Sequence, residues 1–308
     1  MTALRDRIFD ILTYYALNGE EKTLEKYKIK QDTLRRYKNE LKRLRSSIED
    51  EPEVVAPKVL LFDIETSPMI VTVWGLYKQR IPHTNVIKDW NIISWAGKWL
   101  NHSEVFGDVL TPEEAISGDD NRILNSIWEK FDEADIVIAH NGDNFDIKKL
   151  NTRWLLNGFY QPSKYRSIDT YKVSSGQFSF SSNKLDYIAT LTQNKQKIKT
   201  DYDLWKRCMK GNKEALDEMF TYNKKDVVLL EDVYMVLRPW IKSHPNLGLY
   251  METDENVCPH CGGTDLSYDG HYYTTTAGKF ATIRCKCGAI SRQKKSVANK
   301  ELLRSIPK

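Results

Sequence analysis

A mixed α/β domain carrying a small helical module in front and a small cysteine-bearing module behind is the fold class this sequence predicts. Three observations predict it. Strand-like apolar runs alternate with helical patterns between Lys58 and about Ile241, an amphipathic basic stretch precedes them, and two cysteine pairs follow. With 308 residues, 41% hydrophobic and 29% charged, the chain has the composition of a globular protein. No window approaches the ~18 uninterrupted apolar residues of a membrane span. Met1 to Arg7 puts charges where an export signal needs an apolar core, so the expected compartment is the cytoplasm and no membrane partner is expected.

The net charge of +4 is unevenly spread. Lys22 to Arg45 holds ten basic against three acidic residues, and Lys279 to Lys308 holds nine against one. The stretch between them is acidic in balance. Polyanion-binding ends around a carboxylate-rich centre produce this distribution, as do ordinary solvated helices and a tail.

The elements follow in order. Leu4, Ile8, Ile11, Leu12 and Tyr15 recur at helical spacing, and Asn18-Gly19 suits a helix stop. Thr23 to Tyr27 reads as a short helix, Lys28 to Lys30 as a connector, and Gln31 to Arg45 as a longer helix with Leu34, Tyr37, Leu41 and Leu44 inward. Residues 1–46 thus have a helix-turn-helix pattern whose second helix would present Arg35, Arg36 and Lys38 to nucleic acid. A plain three-helix bundle with solvated charges has the same pattern. Residues 47–57, acidic and bearing Pro52 and Pro57, read as a linker.

Residues 58–244 form the predicted α/β domain. The run Val59 to Phe62 opens a strand, and Thr72 to Trp74, Ile92 to Ala96 and Glu104 to Phe106 read as further strands of an antiparallel meander. Asp120-Asn121 suits a helix cap, and Ile136 to Ala139 a strand buried on both faces. Ser174 to Ser182 lacks a clear period and reads as a loop near the substrate, with Phe178 and Phe180 either packing it down, the favoured reading, or stacking on bases. A helix is predicted from Lys213 to Leu237.

Chemistry concentrates at three places. Asp63 and Glu65 in Phe62-Asp63-Ile64-Glu65-Thr66 point to one side of a strand, about 7 Å apart. Two neighbouring ionised carboxylates are stabilised by a hard cation such as magnesium or manganese. The polar cluster His140 to Asp146 lies at the carboxyl end of the buried strand, where open α/β sheets place their ligands. Tyr222 and Asp226, four apart, share one helix face. Each piece alone also suits an ordinary strand end, turn or core helix.

Together, Asp63-Ile64-Glu65, Asn141-x3-Phe145-Asp146 and Tyr222-x3-Asp226 resemble the three motifs of the DEDDy 3′-5′ exonucleases of the ribonuclease-H-like superfamily. The wording is most similar to the proofreading domain of B-family DNA polymerases and to related free-standing exonucleases, over about Lys58 to Ile241. The resemblance implies a ribonuclease-H-like mixed sheet with flanking helices, and a free-standing nuclease, because the residues after Ile241 are too few for a polymerase. It implies that Asp63, Glu65, Asp146 and Asp226 hold two magnesium or manganese ions and that Tyr222 orients the attacking water. It also implies that Thr66, Asn141 and Phe145 approach the substrate. DNA is the favoured substrate; RNA or branched DNA, and a non-catalytic nucleic-acid-binding protein, are the alternatives. A role in DNA repair or phage metabolism, within a host cytoplasm in the second case, follows by analogy.

After a linker over residues 245–256, residues 257–308 carry Cys258, Cys261, Cys285 and Cys287 and a basic tail. Paired thiolates on turns suit one structural zinc ion, and the module resembles a zinc ribbon. The second pair is Cys-x-Cys, so Cys287, His260 or His271 remains open as the fourth ligand. The aromatic and basic residues between the pairs suit nucleic acid or a protein partner.

Overall fold

A computed structural model describes residues 10, 11, 13–15, 18–31, 33, 34, 37, 56–195, 200–251, 253, 255–276 and 278–298. The chain divides into two compact units, Met1–Val55 and Ala56–Lys308.

In the first unit, helix α1 (Glu20–Tyr27) begins after Gly19, at φ 82°, and ends at Lys28, which takes the left-handed conformation. It starts a turn earlier than the sequence predicts, because the Thr23 hydroxyl donates back to the Gly19 carbonyl at 2.6 Å and sits inside the first turn. Ile11 and Leu34 are fully buried, with Leu24, Tyr27 and Ile29 packed around them. Arg35, Arg36 and Lys38 lie outside the described residues.

The second unit is built on a five-stranded mixed sheet of order β5-β4-β1-β6-β7. Its strands are β1 (Val59–Thr66), β4 (Ile92–Trp99), β5 (Phe106–Val109), β6 (Ile136–Ala139) and β7 (Arg166–Asp169). β4 pairs antiparallel with β1 and β5, whereas β6 runs parallel to β1 and β7. Helices α2 (Pro112–Ser117), α3 (Asn121–Glu133), α4 (Asp146–Leu156), α5 (Thr170–Gln177), α6 (Leu185–Gln193), α7 (Tyr202–Met209) and α8 (Lys213–Leu237) complete it. This is the ribonuclease-H-like arrangement of a mixed sheet with flanking helices.

The alternation of β1 decides what each face meets. Leu60, Phe62 and Ile64 enter a core built with Ile123, Leu124, Ile127 and Phe131 of α3 and Leu150 and Trp154 of α4. The Phe131 ring meets Phe62 and Trp154 edge-on, at 4.8 and 5.3 Å between centroids. Val59 and Leu61 face the other way, onto Val227, Leu230 and Tyr234 of α8. Asp63 and Glu65 continue that second face beyond the apolar contacts, which brings them to the middle of α8.

Three sequence expectations are corrected. Thr72 to Trp74 is not a strand of the sheet; it lies in an arm outside it, of which only β2 (Ile70–Val71) and β3 (Val86–Lys88) pair, with each other. Its β-branched and aromatic residues look like a strand but face solvent. Ser174 to Gln177 is helical, not looped, because the Asp169 carboxylate accepts from the Tyr171 and Lys172 amides and starts α5 despite its weak helix formers. Asp120 precedes α3 but makes no side-chain cap. Its fully buried carboxylate instead accepts from the Ile92 amide at 2.9 Å and from Arg153 Nε and Nη2 at 2.8 and 2.5 Å. That ties α4 to α3 and β4. Phe178 and Phe180 stack at 5.2 Å and pack against Ile188, Leu229 and Val233, as expected.

A second, three-stranded antiparallel sheet of order β10-β9-β8 comprises β8 (Leu266–Thr275), β9 (Gly278–Cys285) and β10 (Ile290–Arg292). It joins the end of α8 through a polar chain. Tyr234 Oη lies 2.9 Å from His244 Nε2, whose Nδ1–H donates to the Pro245 carbonyl at 2.7 Å. His260 Nε2 donates to the Ile241 carbonyl at 3.0 Å, and its ring lies 4.9 Å from that of His244.

Candidate active site and thiol centre

The carboxylate site assembles where β1 runs onto α8. Asp63, Glu65 and Asp226 each present a carboxylate oxygen within 4.8 Å of the others, with Asp226 buried and the other two half-buried. Hard oxygen donors at this separation fit magnesium or manganese. Without a cation, three converging carboxylates repel one another in a partly dry site.

Asp146, at the first position of α4, borders this trio without joining it. Its Oδ1 accepts from the Ile64 amide at 3.2 Å, between the two β1 carboxylates. Burial pushes its carboxyl up to about 7, the Asp169 charge pushes in the same direction, and the Ile64 amide opposes both. A cation beside it would favour the ionised form.

The loop feeding α4 is held from below. Asn141 takes the left-handed conformation at φ 66°, which asparagine tolerates, and its amide donates to Asp169 Oδ1 at 2.8 Å. The Asn141 carbonyl accepts from the Phe145 amide at 3.0 Å, closing a turn. Gly142 is required there, since a Cβ would fall 2.4 Å from that of Ala139. Asp169 is therefore a buried anchor for this loop as well as the cap of α5. Phe145 is 40% exposed, and Lys149 one turn later lies 5.5 Å from its ring and 3.5 Å from that of Trp90. Thr66, half-buried, pairs with Ile92 at an irregularity that ends β1.

Tyr222 is buried, its ring 6.4 Å from Trp205 in an edge-on contact, on the helix face that also carries Asp226. Its neighbour Asn223 was not apparent from sequence. Its side chain is fully buried, Nδ2 donates to Asp63 Oδ2 at 2.6 Å, and Oδ1 accepts from Ser94 Oγ at 3.1 Å. The one signal available was an asparagine placed between two inward-facing residues of a core helix.

The thiol centre forms separately. Cys258, Cys261, Cys285 and Cys287 present four sulfurs within 4.8 Å of one another. Cys258 and Cys287 are 3.7 Å apart at sulfur, and Cys261 and Cys285 are 3.6 Å apart. Tetrahedral zinc with Zn–S of about 2.3 Å requires S···S of about 3.8 Å, so the set fits zinc and is far too open for disulfides. Gly262 and Gly288, both at positive φ, turn the chain back after each pair. The Gly263 and Cys287 amides point at Cys261 and Cys285 sulfurs, at 3.4 and 3.5 Å. Burial pushes the Cys258 and Cys261 thiols up, so a cation is what would hold them as thiolates. His260 faces Ile241, and exposed His271 lies outside the four-residue set. The fifth cysteine, Cys208, is buried against the Ala215 carbonyl, its thiol pushed up to about 12 by that burial.

Among the described residues, no helix is long and apolar enough to cross a membrane. Residues 104–238 match a family described as the RNase_H superfamily. That span contains Asp146, Tyr222 and Asp226; Asp63 and Glu65 precede it. Over 120 residues, 39% of this chain, the sequence is 33% identical to a DNA polymerase III PolC-type from Ureaplasma parvum serovar 3. The chain spans about 7% of the length of that curated relative. The sheet order, the matched span and the carboxylates gathered over its central strand agree: this chain carries a ribonuclease-H-like domain.

Proposed function

We propose that this chain is a metal-dependent 3′-5′ exonuclease that hydrolyses DNA to nucleoside 5′-monophosphates. The observation that carries the proposal is the convergence of Asp63, Glu65 and Asp226 on a ribonuclease-H-like sheet, with Asp146 against their strand. Similarity to a PolC-type DNA polymerase favours DNA as the substrate.

In this mechanism Asp63, Glu65 and Asp226, with Asp146 beside them, would hold two divalent cations. Such ions supply the charge that activates water and stabilises the leaving 3′-oxygen of an in-line displacement at phosphorus. The protein's own residues do the rest. Asn223 keeps one Asp63 oxygen occupied and so directs the other toward the site. The Ile64 amide does the same for Asp146. The Tyr222 phenol, a hydrogen-bond donor and acceptor but a poor base, orients the water. Phe145 is exposed enough to stack on a terminal base, with Lys149 beside it for a phosphate. Cys258, Cys261, Cys285 and Cys287 would hold a structural zinc that ties the ribbon together.

The test is incubation of 5′-labelled DNA and RNA strands with the protein and manganese, alongside an Asp226→Ala variant. A ladder shortening from the 3′ end, faster on DNA and absent with the variant, is expected. No shortening of either polymer, or equal shortening by the variant, sinks the proposal.

A further inference from the structure

Between β1 and β4 the chain leaves the sheet as an arm, Ser67 to Lys88, whose surface the mechanism does not use. Its base is fixed: the Ser67 amide donates to the Asn91 carbonyl at 2.8 Å, and Lys88 Nζ donates to the Ile116 carbonyl at 2.7 Å. Among the described residues its strands pair with each other alone, through β2 and β3 and the Thr72 amide, which donates to the Asn85 carbonyl at 2.9 Å. A lone two-stranded ribbon is marginal in water, so an arm of this kind has little apolar cover of its own.

The tip is apolar and open: Trp74 and Leu76 are fully exposed and Tyr77 is 77% exposed, and nearer the base Ile87 on β3 is 67% exposed. Large exposed patches mark binding surfaces, because leaving them in water costs what burying them would return. Charge selects the partner. The 42 acidic residues of the chain would put about three in a stretch of this length, yet Ser67 to Lys88 contains none, while Lys78, Arg80 and Lys88 are basic. Aromatic rings interleaved with cations, without an opposing acid, fit a polyanion with stackable faces better than a protein surface of mixed charge.

Position points the same way. Ile70 follows Glu65 by five residues, so at ~3.3 Å per residue the foot of the arm is at most about 17 Å from the carboxylates. We infer that this arm binds a single strand of nucleic acid, with Trp74 and Tyr77 stacking on bases and Lys78 and Arg80 contacting phosphates. The inference rests on the exonuclease reading for why a strand passes this way. Stacking and phosphate contacts are shared by DNA and RNA, so both polymers serve as probes.

The test measures binding without hydrolysis. Fluorescein-labelled single-stranded DNA and RNA oligonucleotides are titrated with the full chain carrying Asp226→Ala, without added divalent cation or chelator, reading anisotropy, for the native arm, Trp74→Ala/Tyr77→Ala and Lys78→Gln/Arg80→Gln. At about 1–3 kcal/mol per stacked base, the aromatic pair raises Kd by tenfold or more. The charge pair flattens the dependence of log Kd on log salt by about 1.4, two contacts at ~0.7 each on single strands. Thermal melting checks the fold, and the charge variant tests the arm even where the aromatic one is destabilised. Unchanged affinity and unchanged salt slope overturn the inference. So does unchanged affinity accompanied by loss of self-association in sedimentation, which assigns the arm to a second copy. Binding through the arm, with no strand shortened by the wild type, refutes the exonuclease and leaves the arm standing.

Discussion

Asn223 and Asp63 are 160 positions apart in the chain and 2.6 Å apart in the fold. The asparagine bridges β1 to β4, because its carbonyl takes the Ser94 hydroxyl while its amide holds the Asp63 carboxylate. Partners of this kind set the orientation of a metal ligand, and losing one commonly costs about 10- to 100-fold in metal affinity. Asn223→Ala is expected to weaken manganese binding in isothermal titration without nucleic acid by that factor. Wild-type affinity in the variant shows that Asp63 needs no such support.

Tyr222→Phe removes one hydroxyl and keeps the ring against Trp205. The expected result is a fall in kcat of roughly 100-fold, the low end of the range for groups that act on the transferred proton, with KM and melting temperature little changed. Asp226→Asn is expected to abolish turnover. A Tyr222→Phe enzyme with unaltered kcat removes the water-orienting role.

Arg153 and Asp120 form the most deeply buried ion pair described, with no exposure on the aspartate side chain and 17% on the arginine. Arg153→Ala leaves that carboxylate with the Ile92 amide alone, and breaking such a pair costs about 3–5 kcal/mol. Urea unfolding followed by circular dichroism measures this. A loss below about 1 kcal/mol shows that the aspartate reaches water once its partner is gone.

One zinc per chain is expected from elemental analysis, retained in His260→Ala and His271→Ala and lost in Cys287→Ala. Chelation of the metal-loaded protein is expected to raise thiol reactivity at the four cysteines, measured with a chromogenic disulfide. Zinc retained by the Cys287 variant and lost with a histidine reassigns the fourth ligand.

His244 supplies a pH dependence. Burial first, then the neighbouring His260 and Arg238, lower its pKa to about 4, against about 6.5 in an unfolded chain. The folded state disfavours the extra proton, so this stabilisation is complete above pH 6.5 and is lost as pH falls toward 4, by on the order of 2 kcal/mol. Stability of the wild type over that window is expected to fall more steeply than that of His244→Gln. Parallel curves refute the assignment.

What could be read from sequence depended on periodicity. The two-residue repeat of β1 puts Asp63 and Glu65 on one side, and the four-residue spacing puts Tyr222 and Asp226 on one helix face; both follow from backbone geometry alone. The bounds of α8 follow from its apolar stripe. Asn223 escaped because a buried amide joining three elements has no repeat. Thr72 to Trp74 misled because a run of β-branched and aromatic residues records strand propensity, not whether a neighbour covers the side chains. Ser174 to Gln177 escaped because Asp169 induces that helix from outside its weak composition. Which carboxylate stands apart was equally hidden, since the contact of Asp146 with the Ile64 amide depends on how α4 meets the sheet.

The place of β1 between β4 and β6 bears on the order in which the molecule opens. A strand paired on both sides exposes its amides to solvent exchange only when the sheet itself separates, whereas edges and arms fray at small cost. β6 pairs with β1 over Val59 to Leu61, so deuterium uptake is expected to be slowest at Leu60 and Leu61 and fast along Ser67 to Lys88. Asp63 and Glu65 stand just past that doubly paired stretch, their strand paired on the β4 side alone, so their carboxylates sit where the most protected part of the sheet gives way to the site.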